Sequence, residues 1–270
     1  MTNFALDAYL RRIGHRGPVA SDLATLAALH AAHVAAIPFE GLDPFLRRPV
    51  NLDLAAIEAK LVGGRRGGYC FEQNALFKAA LEAIGFRTVG LAARPRWNAA
   101  PDAPLGPKTH MLLSVETPEG ARLADVGYGA CLSETPFEFA VGKEQTTPSG
   151  VFRLSQSEGL FRLEARRGEG WRTLYAFDLA PQLPADYALA SWFTSTHPAA
   201  AHVVNLVLER LEAGCRHKIV NRRYWTEGRD GIVESQRGID NGADLARLLD
   251  EVFDVTPPAP AEEIFARTTE

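Results

Sequence analysis

Arg66-Gly67-Gly68-Tyr69-Cys70-Phe71-Glu72-Gln73-Asn74 runs from a glycine pair into what reads as the first turn of a helix. A thiol placed there meets unpaired backbone N–H groups and the positive end of the helix dipole, both of which favour an anion. A free thiol titrates near 8.5, and a helix N-terminus or a neighbouring histidine lowers such a group by about one to several units. A buried, inert thiol is the ordinary state of a free cysteine, so it is this local setting that marks Cys70 as the candidate nucleophile. Cys131 and Cys215 have no comparable context and read as packing residues.

Upstream of this stretch the chain reads as helices. Asn3 is expected to cap a helix over 4–13 that stops at Gly14, and Ser21 a second that ends at Pro38. In the second, Leu23, Leu26, Leu29, His30, His33 and Ile37 fall near helical spacing. A third helix is expected over 53–62. The fourth begins near Cys70, shows Phe77, Leu81 and Ile84 on one side, and stops at Gly85. His30 and His33 share a helix face, but no third ligand stands at compatible spacing, and they read as helix-packing residues.

Downstream the texture changes to short apolar runs bounded by Gly, Pro or charged turns: 88–93, 111–115, 123–126, 151–155, 160–165 and 171–177. These predict a meandering antiparallel sheet or partly closed barrel. A loop holding Pro95, Pro101, Pro104 and Pro107 separates the first two runs. In the last third, a helix is expected over 201–211, strands over 216–224 and 231–235, a helix over 245–252, and a loose exit at 257–260. The fold class is therefore α+β: a helical unit over 1–86, an antiparallel β unit over 87–180 and an α/β lid region over 181–270.

Two β-region segments extend the Cys70 argument. Thr109-His110-Met111-Leu112-Leu113 starts a strand with a histidine, and Leu123-Ala124-Asp125-Val126-Gly127-Tyr128-Gly129 breaks at Gly127 just after a carboxylate. A thiol nucleophile needs a base to take its proton, and that base needs a group to fix its tautomer. Order along the chain alone leaves His110 as a core histidine and Asp125 as a turn-former equally open. Arg66, four residues before the thiol, is a candidate for holding the glycine turn through a bidentate, two-oxygen bond to a carboxylate.

Composition narrows the class. The chain has 270 residues, 46% of them hydrophobic, which is ample for a core, and a net charge of −4 that offers no basic footprint for nucleic acid. Three widely spaced cysteines argue against a disulfide framework, and the absence of a CxxC pair against a cysteine-rich zinc site. No basic segment followed by an apolar run opens the sequence, and no 18-residue apolar stretch occurs, so a cytoplasmic setting without membrane contact is the default expectation.

With these segments assembled, the chain resembles the bacterial arylamine N-acetyltransferases. The motif 66–74, Ile37-Pro38-Phe39-Glu40, Thr109-His110 and 125–129 match that family's pattern in order and approximate spacing. The resemblance implies a Cys-His-Asp core of the cysteine-protease and transglutaminase type, with Cys70, His110 and Asp125 as catalytic residues and Glu40 as the partner of Arg66. It further implies acetyl-coenzyme A as co-substrate, no metal, and small aromatic amines or hydrazines as acceptors in a ping-pong transfer; a homodimer stays open. Thr109, Gly127 and Gly129 become candidate coenzyme contacts, and Phe39, Phe71 and Tyr128 candidate walls of the ring pocket. Competing readings are an amide synthase acting on a carrier-bound polyketide chain, a Cys-His-Asp hydrolase, and a binding module that keeps only the fold.

Two positions depart from the family pattern. Gly41 stands where asparagine usually follows Pro-Phe-Glu. Ser195-Thr196-His197-Pro198 resembles a segment that leads to a phenylalanine over the acyl site, yet here Ala200, Ala201 and His202 follow, predicting a smaller or more polar wall. Both leave the acceptor and the preferred acyl group open.

Overall fold

The computed structural model describes residues 4–100 and 102–269. The first helices form where local signals place them, with shifted caps. Helix α1 (Leu6–Arg12) begins after Ala5, and the expected cap, Asn3, lies outside the described residues. Helix α2 (Leu23–Ala36) is capped by Asp22 and not by Ser21, since the Asp22 carboxylate accepts the Thr25 N–H at 2.8 Å. A short strand β1 (Phe39–Glu40) and a turn of helix α3 (Leu42–Phe45) follow. Helix α4 (Leu54–Ile57) widens into a π-helical turn over Glu58–Gly63. Helix α5 (Cys70–Ile84) starts at the thiol and ends at Gly85, whose φ of +109° is a conformation that glycine adopts without strain.

Strands β2 (Thr88–Pro95), β3 (His110–Thr117), β4 (Gly120–Ala124), β5 (Phe137–Glu138), β6 (Glu144–Thr147), β7 (Gly150–Ser157), β8 (Leu160–Arg167) and β9 (Gly170–Phe177) make a nearly closed antiparallel sheet in the order β5-β4-β3-β2-β9-β8-β7-β6. The expected runs fall on strands, although the run 123–126 outlasts β4, which ends at Ala124; β5 and β6, short and polar, carried too little alternation to be read. Leu113 faces Ala124 in the β3–β4 register, so Asp125 emerges one residue past β4 and close to the start of β3. That register is what carries a carboxylate toward His110.

The last third differs most from expectation. Helix α6 (Pro184–Thr196) was not anticipated, although Pro184 at its first position and Asp186, which accepts the Leu183 N–H at 2.8 Å, are readable start signals. The helix expected over 201–211 is only one turn, α7 (Ala201–Val204), after which the chain extends as β10 (Val207–Glu212). Its helix-prone residues give way to pairing, because β10 is hydrogen-bonded between β1 and β11 (Cys215–Val220). The strand expected over 216–224 breaks at Asn221, which takes a φ of +53° and turns the chain into β12 (Arg223–Glu227). Strand β13 (Val233–Gly238) completes a five-stranded sheet, β1-β10-β11-β12-β13. Helix α8 (Gly242–Arg247) continues into a π-helical turn over Leu248–Val252. The expected loose exit leads instead into helix α9 (Ala261–Arg267), whose backbone at Glu262 lies so close to Gly242 that a Cβ there would sit 2.5 Å from it.

One buried cluster joins Leu26, Leu29, Phe77 and Leu81 of the helices to Met111 and Leu113 of β3. A second fills the barrel around Phe152, Leu163 and Tyr175, and a third packs Leu208 and Ile219 beneath Leu245, Leu249 and Phe253. Helix α5 is thus clamped against β3, and the thiol helix meets the histidine strand inside shared apolar packing. Among the described residues no helix is long and apolar enough to cross a membrane.

Candidate active site

Cys70 occupies the first position of α5 and is buried, with its Sγ 3.7 Å from the carbonyl oxygen of Thr109. The first residue of β3, His110, interacts electrostatically with Cys70 on one side and hydrogen-bonds through Nε2 to Asp125 Oδ2 at 2.6 Å on the other. With Nε2 held by the carboxylate, Nδ1 is the nitrogen left for the thiol. Asp125 Oδ1 accepts N–H bonds from Asn74 Nδ2 and from Gly127 N, each at 3.0 Å. Its own backbone N–H is held by His30 Nε2 at 3.2 Å.

Electrostatics follow from this wiring. Burial disfavours a charged imidazole, but the Asp125 carboxylate, its hydrogen bond and the Cys70 contact outweigh that cost and push His110 up to about 10. Burial likewise opposes the Asp125 charge, and the His110 imidazolium with the N–H donors of Asn74 and Gly127 holds it below the ordinary carboxylate range. The pair is therefore an imidazolium–carboxylate at neutral pH. Because the folded value of His110 exceeds the unfolded one near 6.5, its contribution to stability is complete below about pH 6.5 and lost as pH rises through about 10. The difference in melting temperature between wild type and His110→Gln is accordingly expected to be largest near pH 6 and to shrink toward pH 10. A gap that widens with pH would contradict this charge state.

Asn74, present in the opening motif but assigned no role by it, orders the site. Its Nδ2 donates to Met111 O at 2.8 Å as well as to Asp125, and its Oδ1 accepts the Val126 N–H at 3.2 Å. One side chain on α5 thereby fixes the β3 start and the loop after β4. The signal was its spacing: Asn74 lies four residues after Cys70, on the same helix face. His30 and His33 pack edge-on against Phe77 at 5.6 and 5.4 Å between ring centres. Burial pushes His30 down to about 4 and His33 to about 3, leaving both neutral. His33 bridges Tyr9 and Gln73 at 3.0 and 2.8 Å.

The glycine turn before Cys70 is pinned by charge. Arg66 directs Nε and Nη2 at a single oxygen, Glu40 Oε1, at 2.8 and 2.6 Å, and Nη2 also reaches Asp43 at 3.1 Å. The other Glu40 oxygen accepts the Leu42 N–H at 2.7 Å, so the pair is not the two-oxygen fork that the sequence suggested. Lys60 extends the network, 2.7 Å from Asp43 and 2.6 Å from Glu72, whose second oxygen accepts the Tyr69 N–H at 3.2 Å. Glycine is required in this turn, since a Cβ on Gly67 would lie 2.1 Å from Pro38 O. Glu40→Ala leaves the mostly buried Arg66 guanidinium with Asp43 as its remaining carboxylate partner, and a loss toward the lower end of about 3–5 kcal/mol is expected in urea unfolding. A change under about 1 kcal/mol would reduce the pair to a surface contact.

The triad opens onto a cleft of about 770 Å³ between the barrel, α6–α7 and the five-stranded sheet. Phe39, Thr109, Gly127, Tyr128 and Gly129 line it together with Cys70 and His110; Phe71 does not, and lines a smaller cavity of about 340 Å³ beside Tyr187 and Phe193. Gly127 lets the loop close onto the thiol helix, because a Cβ there would lie 2.8 Å from Cys70 Cα, and one on Gly129 would enter the Phe39 ring. Tyr128 is locked: its hydroxyl donates to Leu174 O at 2.6 Å and its ring meets His110 edge-on at 4.9 Å. The cleft also holds His202, Trp97, Trp225 and Lys218, which the sequence reading assigned no function beyond the polar wall at His202. A thiol, a base and an orienting carboxylate in one line, opening into a volume suited to a small organic ligand, can carry acyl transfer through a covalent thioester.

Comparison with known proteins agrees with this chemistry. The model of an N-acetyltransferase family matches residues 22–259. The chain is 41% identical to the arylamine N-acetyltransferase of Mycolicibacterium smegmatis over 93% of its own length and 91% of that protein's. The chain belongs to the arylamine N-acetyltransferase family. The Escherichia coli K12 member is 36% identical over 92% of this chain and 88% of its own. Among solved structures, that of the Mycobacterium marinum arylamine N-acetyltransferase in complex with CoA superposes with a TM-score of 0.92 at 33% identity, covering 97% of each chain. The family's structures thus share the architecture over nearly the whole chain.

Proposed function

We propose that this protein transfers the acetyl group of acetyl-coenzyme A to the nitrogen of aromatic amines or hydrazines, with Cys70, His110 and Asp125 as its catalytic residues. The observation that carries this reading is the line from thiol to imidazole to carboxylate at the wall of the cleft, with the imidazole hydrogen-bonded to the carboxylate. With its proton passed to His110, the Cys70 sulfur attacks the thioester carbonyl; the new S–C bond forms as the bond to the coenzyme sulfur breaks, and His110 gives that proton to the departing thiolate. The amine nitrogen then attacks the acetyl-Cys70 carbonyl, His110 accepts the amine proton, and the Cys70 sulfur leaves. Asp125 keeps His110 oriented through both halves. N–H groups of the first turn of α5, that of Cys70 among them, are suited to the developing oxyanion.

The coenzyme fits the residues present. Thr109, Gly127 and Gly129 offer a side-chain-poor wall beside the thiol, and Phe39 and Tyr128 an apolar one for an aromatic ring. Cys70, Cys131 and Cys215 are all free thiols, which supports a reducing, cytoplasmic setting. Intact-mass spectrometry tests the proposal. Acetyl-coenzyme A should add one acetyl group to Cys70, and an aromatic hydrazine should then remove it as the acetylated hydrazine. No mass shift, with the thiol still open to alkylation, would reject acetyl-coenzyme A as the donor.

A further inference from the structure

Gly41 and His202, 161 positions apart in sequence, meet at the active-site cleft: a Cβ on Gly41 would lie 3.5 Å from His202 Nδ1. That nitrogen is buried and has no hydrogen-bond partner among the described residues. The imidazole leans on the Phe39 ring at 5.5 Å and on Tyr69, the residue before the thiol, at 6.1 Å between ring centres. Its other nitrogen, Nε2, makes no hydrogen bond and is not enclosed by protein, and the ring forms part of the same wall as Cys70 and His110. An otherwise apolar stretch of wall, Phe39 with Ala200 and Ala201, therefore carries one uncommitted polar edge.

Water can satisfy Nε2 while the cleft is open; a hydrocarbon group seated there would displace that water and leave the nitrogen unpaired, whereas a ligand that hydrogen-bonds to it avoids that cost. The imidazole is neutral, since burial and the nearby His110 charge push it down to about 4. A neutral imidazole has one donor and one acceptor nitrogen. A hydroxyl both donates and accepts, and so satisfies Nε2 in either tautomer.

We propose that His202 sets acceptor specificity, selecting aromatic amines or hydrazines that carry a hydroxyl over acceptors of equal size that carry only hydrocarbon. The inference rests on the reading of the cleft as the acyl-transfer site. A site built to bond a substrate hydroxyl discriminates against the analogue lacking it far more strongly than a hydrophobic pocket discriminates between methylenes.

The test compares kcat/KM for 4-aminophenol and 4-methylaniline, which are close in size, in wild type and in His202→Phe. Taking the ratio between the two proteins removes the intrinsic difference in amine reactivity. The preference for 4-aminophenol is expected to fall at least about tenfold in His202→Phe, the equivalent of one hydrogen bond, and to be partly kept in His202→Asn. Should His202→Phe fold poorly, His202→Leu provides the same comparison. Acetylation of Cys70 by acetyl-coenzyme A is followed by mass in each protein, and because both amines share that half-reaction, any change in it cancels from the ratio. A preference unchanged within about twofold (relative to the tenfold expected for one hydrogen bond) would overturn the proposal, as would a variant that slows acetylation and leaves the preference intact. Failure of wild-type Cys70 to acetylate would instead overturn the acyl-transfer reading itself.

Discussion

Cys70→Ala is expected to abolish turnover and to leave the protein unacetylated by acetyl-coenzyme A, with little effect on folding. The thiol makes one weak contact to Thr109 O at 3.7 Å besides its interaction with His110, and the alanine methyl fits the same helical position. Loss of activity with retained stability would separate a chemical role from a packing one. Cys131 and Cys215 serve as internal controls. Cys131 is buried against Arg167 at 2.9 Å and Cys215 lies on the far sheet, so neither is expected to take an acetyl group. Full turnover in Cys70→Ala would end the covalent mechanism, because the described site holds no second nucleophile in line with His110.

Asp125→Asn should reduce kcat by about three to four orders of magnitude, the effect expected when an orienting carboxylate becomes an amide. The direction follows from the hydrogen bonds. Oδ1 accepts two N–H groups, from Asn74 and Gly127, so the amide oxygen of the variant takes that place. Its NH₂ then faces His110 Nε2, which has to become an acceptor, and the proton moves to Nδ1. That nitrogen can no longer take a proton from Cys70. Alkylation of Cys70 by iodoacetamide at pH 7 should slow in parallel, and the melting temperature should drop much less than the activity. Unchanged alkylation alongside lost turnover would place the role of Asp125 after the first acyl step.

Both predictions draw on a site whose parts were legible to very different degrees. The glycine turn, the start of the thiol helix and its Gly85 stop are written within a few residues of Cys70, because a helix end is governed by local backbone needs. The same holds for six of the barrel strands, whose apolar runs are bounded by their own turns. Where a local rule competes with pairing, sequence reasoning fails. Residues 207–212 have helix-forming composition yet lie as β10, since the edges of β1 and β11 offer hydrogen bonds and burial that propensity cannot match. Buried Glu209 on that strand, with Arg216 and Lys218 at 3.7 and 3.5 Å, reads as an exposed helical charge until the sheet is seen.

What the sequence determined by itself was the chemistry available: a thiol at a helix start, a histidine opening a strand, a carboxylate before a glycine break, and the family whose pattern they share. What only the tertiary structure decided was their alignment. The β3–β4 register sets Asp125 beside His110, Asn74 ties α5 to both, and the packing of α7 against α3 brings His202 to Gly41 at the cleft wall. The physical reason is one of range. Caps, turns and periodicity act over about four residues, whereas register, buried charge and the shape of a cleft depend on contacts between segments far apart along the chain.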